Sequence, residues 1–426
     1  MKIHFLGGTG EYGRSSYLIR GEKNILLDFG VKRIENGQNI GAYPKITKDL
    51  ANQIDFVLLS HAHDDHSSAL PLLYKLGYKG YVYATEETIS LAKTYILNWA
   101  KNVRRKGGKL PYDGTWIEKV KFSPLVVGEN IVEGIKVKMG RTGHMPGSVW
   151  FDFSLGGKRV FYSGDLCFES MLFAYDIPLG NYDVAIVDAS YGRDDTPQEV
   201  YTEMLWKKVE EIVARGGNML FPVPAKGRGM DLLLMLNNRY EWLLREGVKV
   251  YVEGVVLDGI EMIKGERYWL KREGIELLSR FKGERFERII DENMVIEMLG
   301  KKVPIIVIAN DAMLSGGSSP LFFNAIKERR ENGIIFTGYL APGTPGYEIS
   351  TQEGKKTYEV RSEVTNIRIK AHLGFSELRD LLLLIKPRDT FLVHCDREVC
   401  EPTAKVLKSA GLTSHCLLPG DIWEAT

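Results

Sequence analysis

Residues 54–60 form an apolar, β-branched run of the buried-strand type, and the run passes directly into Ser60-His61-Ala62-His63-Asp64-Asp65-His66. Three imidazoles and two carboxylates therefore crowd the end of one strand. In an extended loop His61 and His63 point the same way, because side chains alternate with a period of two, and Asp64 points away. Asp65 and His66 lie across the turn, where a helix begins. Such a knot can face two metal ions at once, and its donors suit zinc or, less tightly, manganese or iron.

The remaining ligands are expected at other strand ends. His144 sits in Thr142-Gly143-His144-Met145-Pro146-Gly147, a tight turn whose small residues allow close backbone approach. Asp165 follows a strand in Ser163-Gly164-Asp165, placed to bridge two ions, and His394 ends Phe391-Leu392-Val393. Each alone reads as a core or turn residue; order and setting together make them ligands.

A chain of 426 residues exceeds one simple core and predicts two or three folding units. With 44% hydrophobic and 26% charged residues it reads as a soluble globular protein. No apolar run reaches the roughly 20 residues of a spanning helix, so no membrane partner is expected. The start, Met1 to Gly7, has no signal-peptide core, which predicts a cytoplasmic location. Lys plus Arg number 56 against 55 Asp plus Glu, so a polyanion must be gripped locally rather than by a global field. Residues 93–109 are basic without one acidic side chain and include Arg104, Arg105 and Lys106. They read either as a solvated helix end or as a phosphate-tracking stretch. Cys167, Cys395, Cys400 and Cys416 form no C-x-x-C pair and read as reduced thiols, mostly in the core.

Strands are predicted over 2–6, 16–19, 24–28, 158–163 and 182–188, with a short helix over 69–76. The pattern changes at about residue 191. Thr196-Pro197-Gln198-Glu199 reads as a capping box with proline at the first helical position, and Val200, Met204, Val209 and Val213 as the buried face of its helix. Apolar segments at 218–223, 230–236, 249–252, 304–309, 321–330 and 334–337 then give a β-α-β rhythm, predicting a parallel-sheet unit. A last strand, 390–393, carries His394.

These motifs resemble the metallo-β-lactamase superfamily, and within it the β-CASP branch of nucleic-acid-processing nucleases. Asp28 in Leu27-Asp28-Phe29-Gly30 matches its first motif, residues 61–66 the second, His144 the third and Asp165 the fourth. Asp188 in Asp188-Ala189-Ser190-Tyr191-Gly192, His372 and His394 match the three motifs that mark the branch. Arg228 between Gly227 and Gly229, and Ser315-Gly316-Gly317, look like features of its cap domain. The resemblance implies an α/β fold: an αββα sandwich over 1–190 and 366–426, with a cap of parallel sheet and helices inserted at 191–365. A histidine at the last motif is typical of the branch's RNA enzymes, whereas the DNA-repair group resembling Artemis is aliphatic there. Gly13-Arg14-Ser15-Ser16 fits archaeal and bacterial homologues of the endonuclease subunit of the cleavage and polyadenylation specificity factor. The chain departs from the pattern at Asp188, where glutamate is common, at Gly374, at Cys395 and in Ile369-Lys370-Ala371. It is expected to lack N-terminal KH modules and the extra C-terminal domain of ribonuclease J.

By resemblance, His61, His63 and His144 hold one Zn²⁺, Asp65, His66 and His394 hold the other, and Asp165 bridges; manganese is the alternative metal. Asp28 orients a ligand histidine. Asp65, His372 and Asp188 are the expected catalytic residues, with His372 as the acid that protonates the leaving oxygen and Asp188 holding its ring in one tautomer. Arg104, Arg105, Lys106, Arg228, Ser315, Gly316 and Gly317 are the expected RNA contacts. The expected function is a ribonuclease leaving 3′-hydroxyl and 5′-phosphate ends, endonucleolytic in preference to 5′-to-3′ exonucleolytic, with a homodimer as its expected assembly. A small-molecule hydrolase gives no reason for the cap or for Asp188 and His372. A non-catalytic scaffold subunit usually loses ligands, and a DNA nuclease is disfavoured by His394.

Overall fold

A computed structural model describes all residues except 37–38, 225–226, 302 and 426. The chain forms two compact units, Met1–Asp195 with Ala371–Thr426, and Thr196–Lys370. The boundaries thus fall about five residues later than the expected 190/191 and 365/366. The reason is local: the first unit keeps the strand Val184–Asp188 together with the turn that follows it, and the next helix starts only at Gln198.

The first unit holds two seven-stranded sheets. One runs Ile422–Glu424, Lys2–Gly7, Ser16–Arg20, Asn24–Leu27, Phe56–Leu58, Val82–Thr85, Phe122–Leu125. The other runs Ser414–His415, Asp389–Val393, Val184–Asp188, Lys158–Tyr162, Val149–Leu155, Ile135–Arg141, Gly128–Val132. Strand alternation sends Phe5 against Phe391 of the other sheet, ring centres 4.9 Å apart, while Leu6 joins the helix-covered core. Across the second sheet Leu392 faces Leu378, Leu381 and Leu407 of the helices Phe375–Ile385 and Arg397–Ser409. The unit is therefore a helix–sheet–sheet–helix sandwich.

Within this frame Asn24–Leu27 runs parallel to Phe56–Leu58, and Lys158–Tyr162, Val184–Asp188 and Asp389–Val393 run parallel to one another. Parallel neighbours release their following loops on one edge, and those loops carry Asp28, His61, Asp165 and His394. The basic stretch ends the helix Glu86–Arg105, whose buried Ile89, Ala92, Ile96, Trp99 and Val103 keep a helical period and whose Thr85 caps the Thr88 amide.

The second unit is a six-stranded, wholly parallel sheet in the order Glu287–Ile289, Lys249–Glu253, Ile305–Ala309, Met219–Pro222, Gly333–Phe336, Glu363–Asn366. Its first helix, Gln198–Ala214, corrects the sequence reading twice. Pro197 is the N-cap, with no side-chain cap bond, rather than the first helical residue, and Val200 and Met204 are exposed. Val209 and Val213 are buried as expected, and Leu205, Trp206 and Ile212 join them, because the bulkier stripe around Trp206 takes the sheet-facing side.

A further correction concerns the thiols. Cys400 and Cys416, 16 residues apart, form a disulfide that ties the helix Arg397–Ser409 to the chain just after Ser414–His415; Cys167 and Cys395 are free and buried.

Candidate metal centre

Backbone hydrogen bonds brace the turn that bears Asp65 and His66. Ser15 N–H donates to the Asp65 carbonyl (2.8 Å), Phe29 N–H to that of His66 (2.8 Å) and Val31 N–H to that of Asp64 (2.9 Å). Gly30 makes the approach feasible, since a Cβ there would lie 1.8 Å from the Asp65 carbonyl oxygen. Asp65 and His66 project from the short helix Asp64–Ser67, while Asp64 turns away to Arg33 (2.9 Å). Gly143 does for the His144 turn what Gly30 does here: at φ +77° it has no room for a Cβ, which would meet the Cys167 carbonyl at 2.1 Å. Asp28 and His394 both adopt the left-handed region, at φ +55° and +59°.

Three ring nitrogens converge on one point. His63 Nδ1 lies 3.2 Å from His61 Nε2 and 3.0 Å from His144 Nε2, and Asp165 Oδ2 stands 3.5 Å from both Nε2 atoms. Proton counting shows that these are not simply hydrogen bonds. His144 Nδ1 donates to the Ala371 carbonyl (2.8 Å), which leaves a lone pair on its Nε2. Ser60 Oγ donates to Asp28 (2.6 Å) and so accepts from His61 Nδ1 (3.1 Å), leaving a lone pair on that Nε2 as well. One proton on His63 could satisfy only one of them; a cation satisfies all. Burial, with His66 beside it, holds His61 below the usual histidine range; burial and His144 take His63 down to about 3; burial takes His144 to about 4 against the pull of Asp165. All three are neutral near pH 7, as ligands must be.

The second cluster has the opposite electrostatics. His66 Nε2 is 3.3 Å from Asp165 Oδ1, and His394 Nε2 is 2.9 Å from Asp65 Oδ2. Burial opposes charge here, yet Asp165 and Asp65 draw His394 up to about 9 and lift His66 well above its ordinary value. Burial likewise works against both carboxylates, and the His66 and His394 charges outweigh it. These carboxylates call for positive charge, which protons or a metal ion can supply. Asp165 Oδ1 is also buried without a hydrogen-bond partner. The donor sets His61, His63, His144, Asp165 and Asp65, His66, His394 each bring their ligand atoms within 4.8 Å of one another, so the residues fit two metal ions.

Asp28 is committed elsewhere: it accepts from Ser60 N, Ser60 Oγ, His66 Nδ1 and Tyr162 Oη, and thereby aims His66 Nε2 inward. Beside this centre His372 Nδ1 bonds Asp188 Oδ2 at 2.7 Å, and its ring stacks 5.3 Å from that of His394.

A family profile described as metallo-beta-lactamase superfamily matches residues 9–223, half of the chain. The chain belongs to the metallo-β-lactamase superfamily. Within this superfamily member, a Beta-Casp domain matches residues 230–349 and a Zn-dependent metallo-hydrolase RNA specificity domain matches residues 357–419. Among curated relatives, the transcription termination factor FttA of Methanosarcina mazei is 27% identical over 94% of this chain and 68% of its own length. Two proteins of Methanocaldococcus jannaschii, a probable RNase MJ4 and an RNase J-like protein, are each 27% identical, over 92% and 93% of this chain and 93% and 92% of theirs. A crystal structure of a protein of unknown function from Enterococcus faecalis shares the fold, with TM-score 0.57 at 13% identity over 99% of each chain.

In this superfamily member the expected RNA contacts fall in several places. Arg104 and Arg105 are exposed at a helix end, next to Lys106, and Arg105 bonds Asn102. Arg228 starts the helix Arg228–Asn238 and packs so closely on Gly338 that a side chain there would displace its guanidinium. Ser315 to Gly317 curl around Asp311, whose Oδ1 accepts from Met313 N and Ser315 N. Arg228 and the 315–317 loop follow adjacent parallel strands and so share one sheet edge of the second unit. Among the described residues, His4 and His415 stand outside the centre: His4 Nε2 is buried without a partner and His415 bonds Asp389. The sequence reading missed Ser60, Tyr162 and Ser190, whose hydroxyls bond His61, Asp28 and His394 respectively. Only their position beside named motif residues could have signalled them. No helix among the described residues is long and apolar enough to cross a membrane.

Proposed function

We propose that the protein is a zinc-dependent ribonuclease that hydrolyses RNA phosphodiesters to 3′-hydroxyl and 5′-phosphate ends, in RNA processing or decay. The observation that carries this reading is the His372–Asp188 pair stacked beside the two ligand clusters, because such a pair serves a reaction whose leaving oxygen needs a proton. The RNA specificity domain match favours RNA over other phosphodiesters. His61, His63 and His144 would hold one zinc ion, Asp65, His66 and His394 the other, and Asp165 would touch both. Metal ions held by these residues would supply a water that is nucleophilic near neutral pH and positive charge for the scissile phosphate.

The chain's own residues do the rest. Asp188 keeps the His372 Nδ1 proton engaged, so Nε2–H donates to the 3′ oxygen as its bond to phosphorus breaks. The attacking water's oxygen becomes part of the 5′-phosphate, and the proton it sheds restores His372. Endonucleolytic cleavage is the first reading and 5′-to-3′ exonucleolytic cleavage the second, favoured by the RNase J-like relative. Incubation with linear and covalently closed circular RNA tests both: cutting of circles establishes the endonuclease, cutting of linear RNA alone the exonuclease, and cutting of neither by zinc-loaded protein overturns the ribonuclease reading.

A further inference from the structure

The Ser190 hydroxyl stands where the two halves of the centre meet. Its Oγ lies 2.5 Å from Asp188 Oδ1, 2.7 Å from His394 Nδ1, 3.1 Å from the His394 carbonyl oxygen and 3.4 Å from His372 Nδ1. The backbone around it is pinned: Tyr12 Oη donates to the Ser190 carbonyl (2.7 Å), Ser190 N–H to Asp188 Oδ1 (2.9 Å) and His394 N–H to the Gly8 carbonyl (2.7 Å).

A hydroxyl has one proton to give and two lone pairs. Carboxylate and carbonyl oxygens can only accept, and the shortest contact is to the carboxylate, where a charge-assisted bond is the strongest on offer. The Ser190 proton therefore goes to Asp188 Oδ1. Ser190 Oγ must then accept from His394, so His394 carries a proton on Nδ1, and its Nε2, 2.9 Å from Asp65 Oδ2, is the nitrogen left to exchange its own proton for a metal ion. Asp188 Oδ2 meanwhile engages His372. One carboxylate orders two histidines, His372 directly and His394 through the serine.

We infer that Ser190 is a positioning residue that fixes the tautomer of His394 and so sets the affinity of the Asp65–His66–His394 cluster for its metal ion. The inference rests on the reading of His394 as a ligand. Metal-stripped protein is titrated with Co²⁺ against a chromophoric chelator, with the cobalt d–d spectrum followed alongside. Wild type should take up two ions. Ser190→Ala should bind the first as wild type does and the second roughly 10–100-fold more weakly, the usual effect of losing a partner behind a metal ligand. Ser190→Thr, which keeps the hydroxyl, should restore the second ion and its spectrum. Equal binding of both ions by Ser190→Ala overturns the inference and leaves the two-metal reading intact, and so does failure of Ser190→Thr to rescue. Uptake of fewer than two ions by wild type overturns the ligand reading and the inference with it. Should Ser190→Ala not fold, the zinc-loaded wild type decides: long-range ¹H–¹⁵N correlation must show the His394 proton on Nδ1, and its absence overturns the inference.

Discussion

His372 Nδ1 lies 2.7 Å from Asp188 Oδ2, which commits that ring nitrogen to the carboxylate and leaves Nε2 as the nitrogen for the proposed proton transfer. His372→Ala should therefore keep both metal ions yet lose roughly 10²–10⁴-fold in cleavage rate, the span of general acid catalysis. An RNA whose bridging 3′ oxygen is replaced by sulfur should recover much of that loss, because a thiolate leaves unprotonated. Asp188→Asn should show a smaller defect of the same kind. Metal analysis beside single-turnover rates on both substrates checks this; loss of metal by His372→Ala would make the residue structural.

His66 is gripped by Asp28 on one side and faces Asp165 on the other. His66→Ala and Asp65→Ala should each abolish nuclease activity and reduce bound zinc from about two ions to about one, read by atomic emission on the purified protein. Undiminished activity in protein free of transition metal would end the two-metal reading.

The residues that gather at this centre could be picked out in the chain because three imidazoles and two carboxylates directly follow one buried strand, and His144, Asp165 and His394 each follow the end of another apolar run or sit in a glycine turn. What stayed hidden depends on partners distant in sequence. Ser190 looks like any serine until His394, 204 residues away, is laid beside it. The Cys400–Cys416 bond follows from the packing of a helix on an edge strand, not from a spacing motif. The helix Gln198–Ala214 carries two overlapping apolar stripes, and only the sheet beneath selects the one with Trp206.

Arg104, Arg105 and Lys106 close a stretch of sequence, 93–109, that contains no acidic residue, and Arg104 and Arg105 are exposed. If they track an RNA backbone, replacing all three by glutamine should weaken binding and flatten the slope of log affinity against log salt by about 2, at roughly 0.7 per lost contact on a single strand. Filter binding over a salt series measures it; an unchanged slope assigns them to solvent.

Asp231 offers a test far from the chemistry. Its Oδ1 is buried without a hydrogen-bond partner, and burial lifts its carboxyl to about 7 against the pull of Arg228 and Lys271. Below about pH 4 both folded and unfolded chains hold this proton, so it costs nothing. Between about pH 4 and about 7 only the folded state keeps it, so stability falls as pH rises, and above about 7 the whole penalty remains. Asp231→Asn should raise Tm by at least about 2–4 °C at pH 8, the effect of ~1 kcal/mol in a unit of this size, and by nothing at pH 4. Equal shifts at both pH values in differential scanning calorimetry would refute the assignment.

The turn that bears Asp65 and His66 is braced by amides of Ser15, Phe29 and Val31, none of which is a candidate ligand. Its shape is thus paid for by the sandwich rather than by an ion, unlike that of a zinc finger, which collapses when chelated. A turn braced in this way would let a bound metal be removed and replaced without unfolding the chain, leaving the choice of metal to supply and donor preference rather than to the moment of folding.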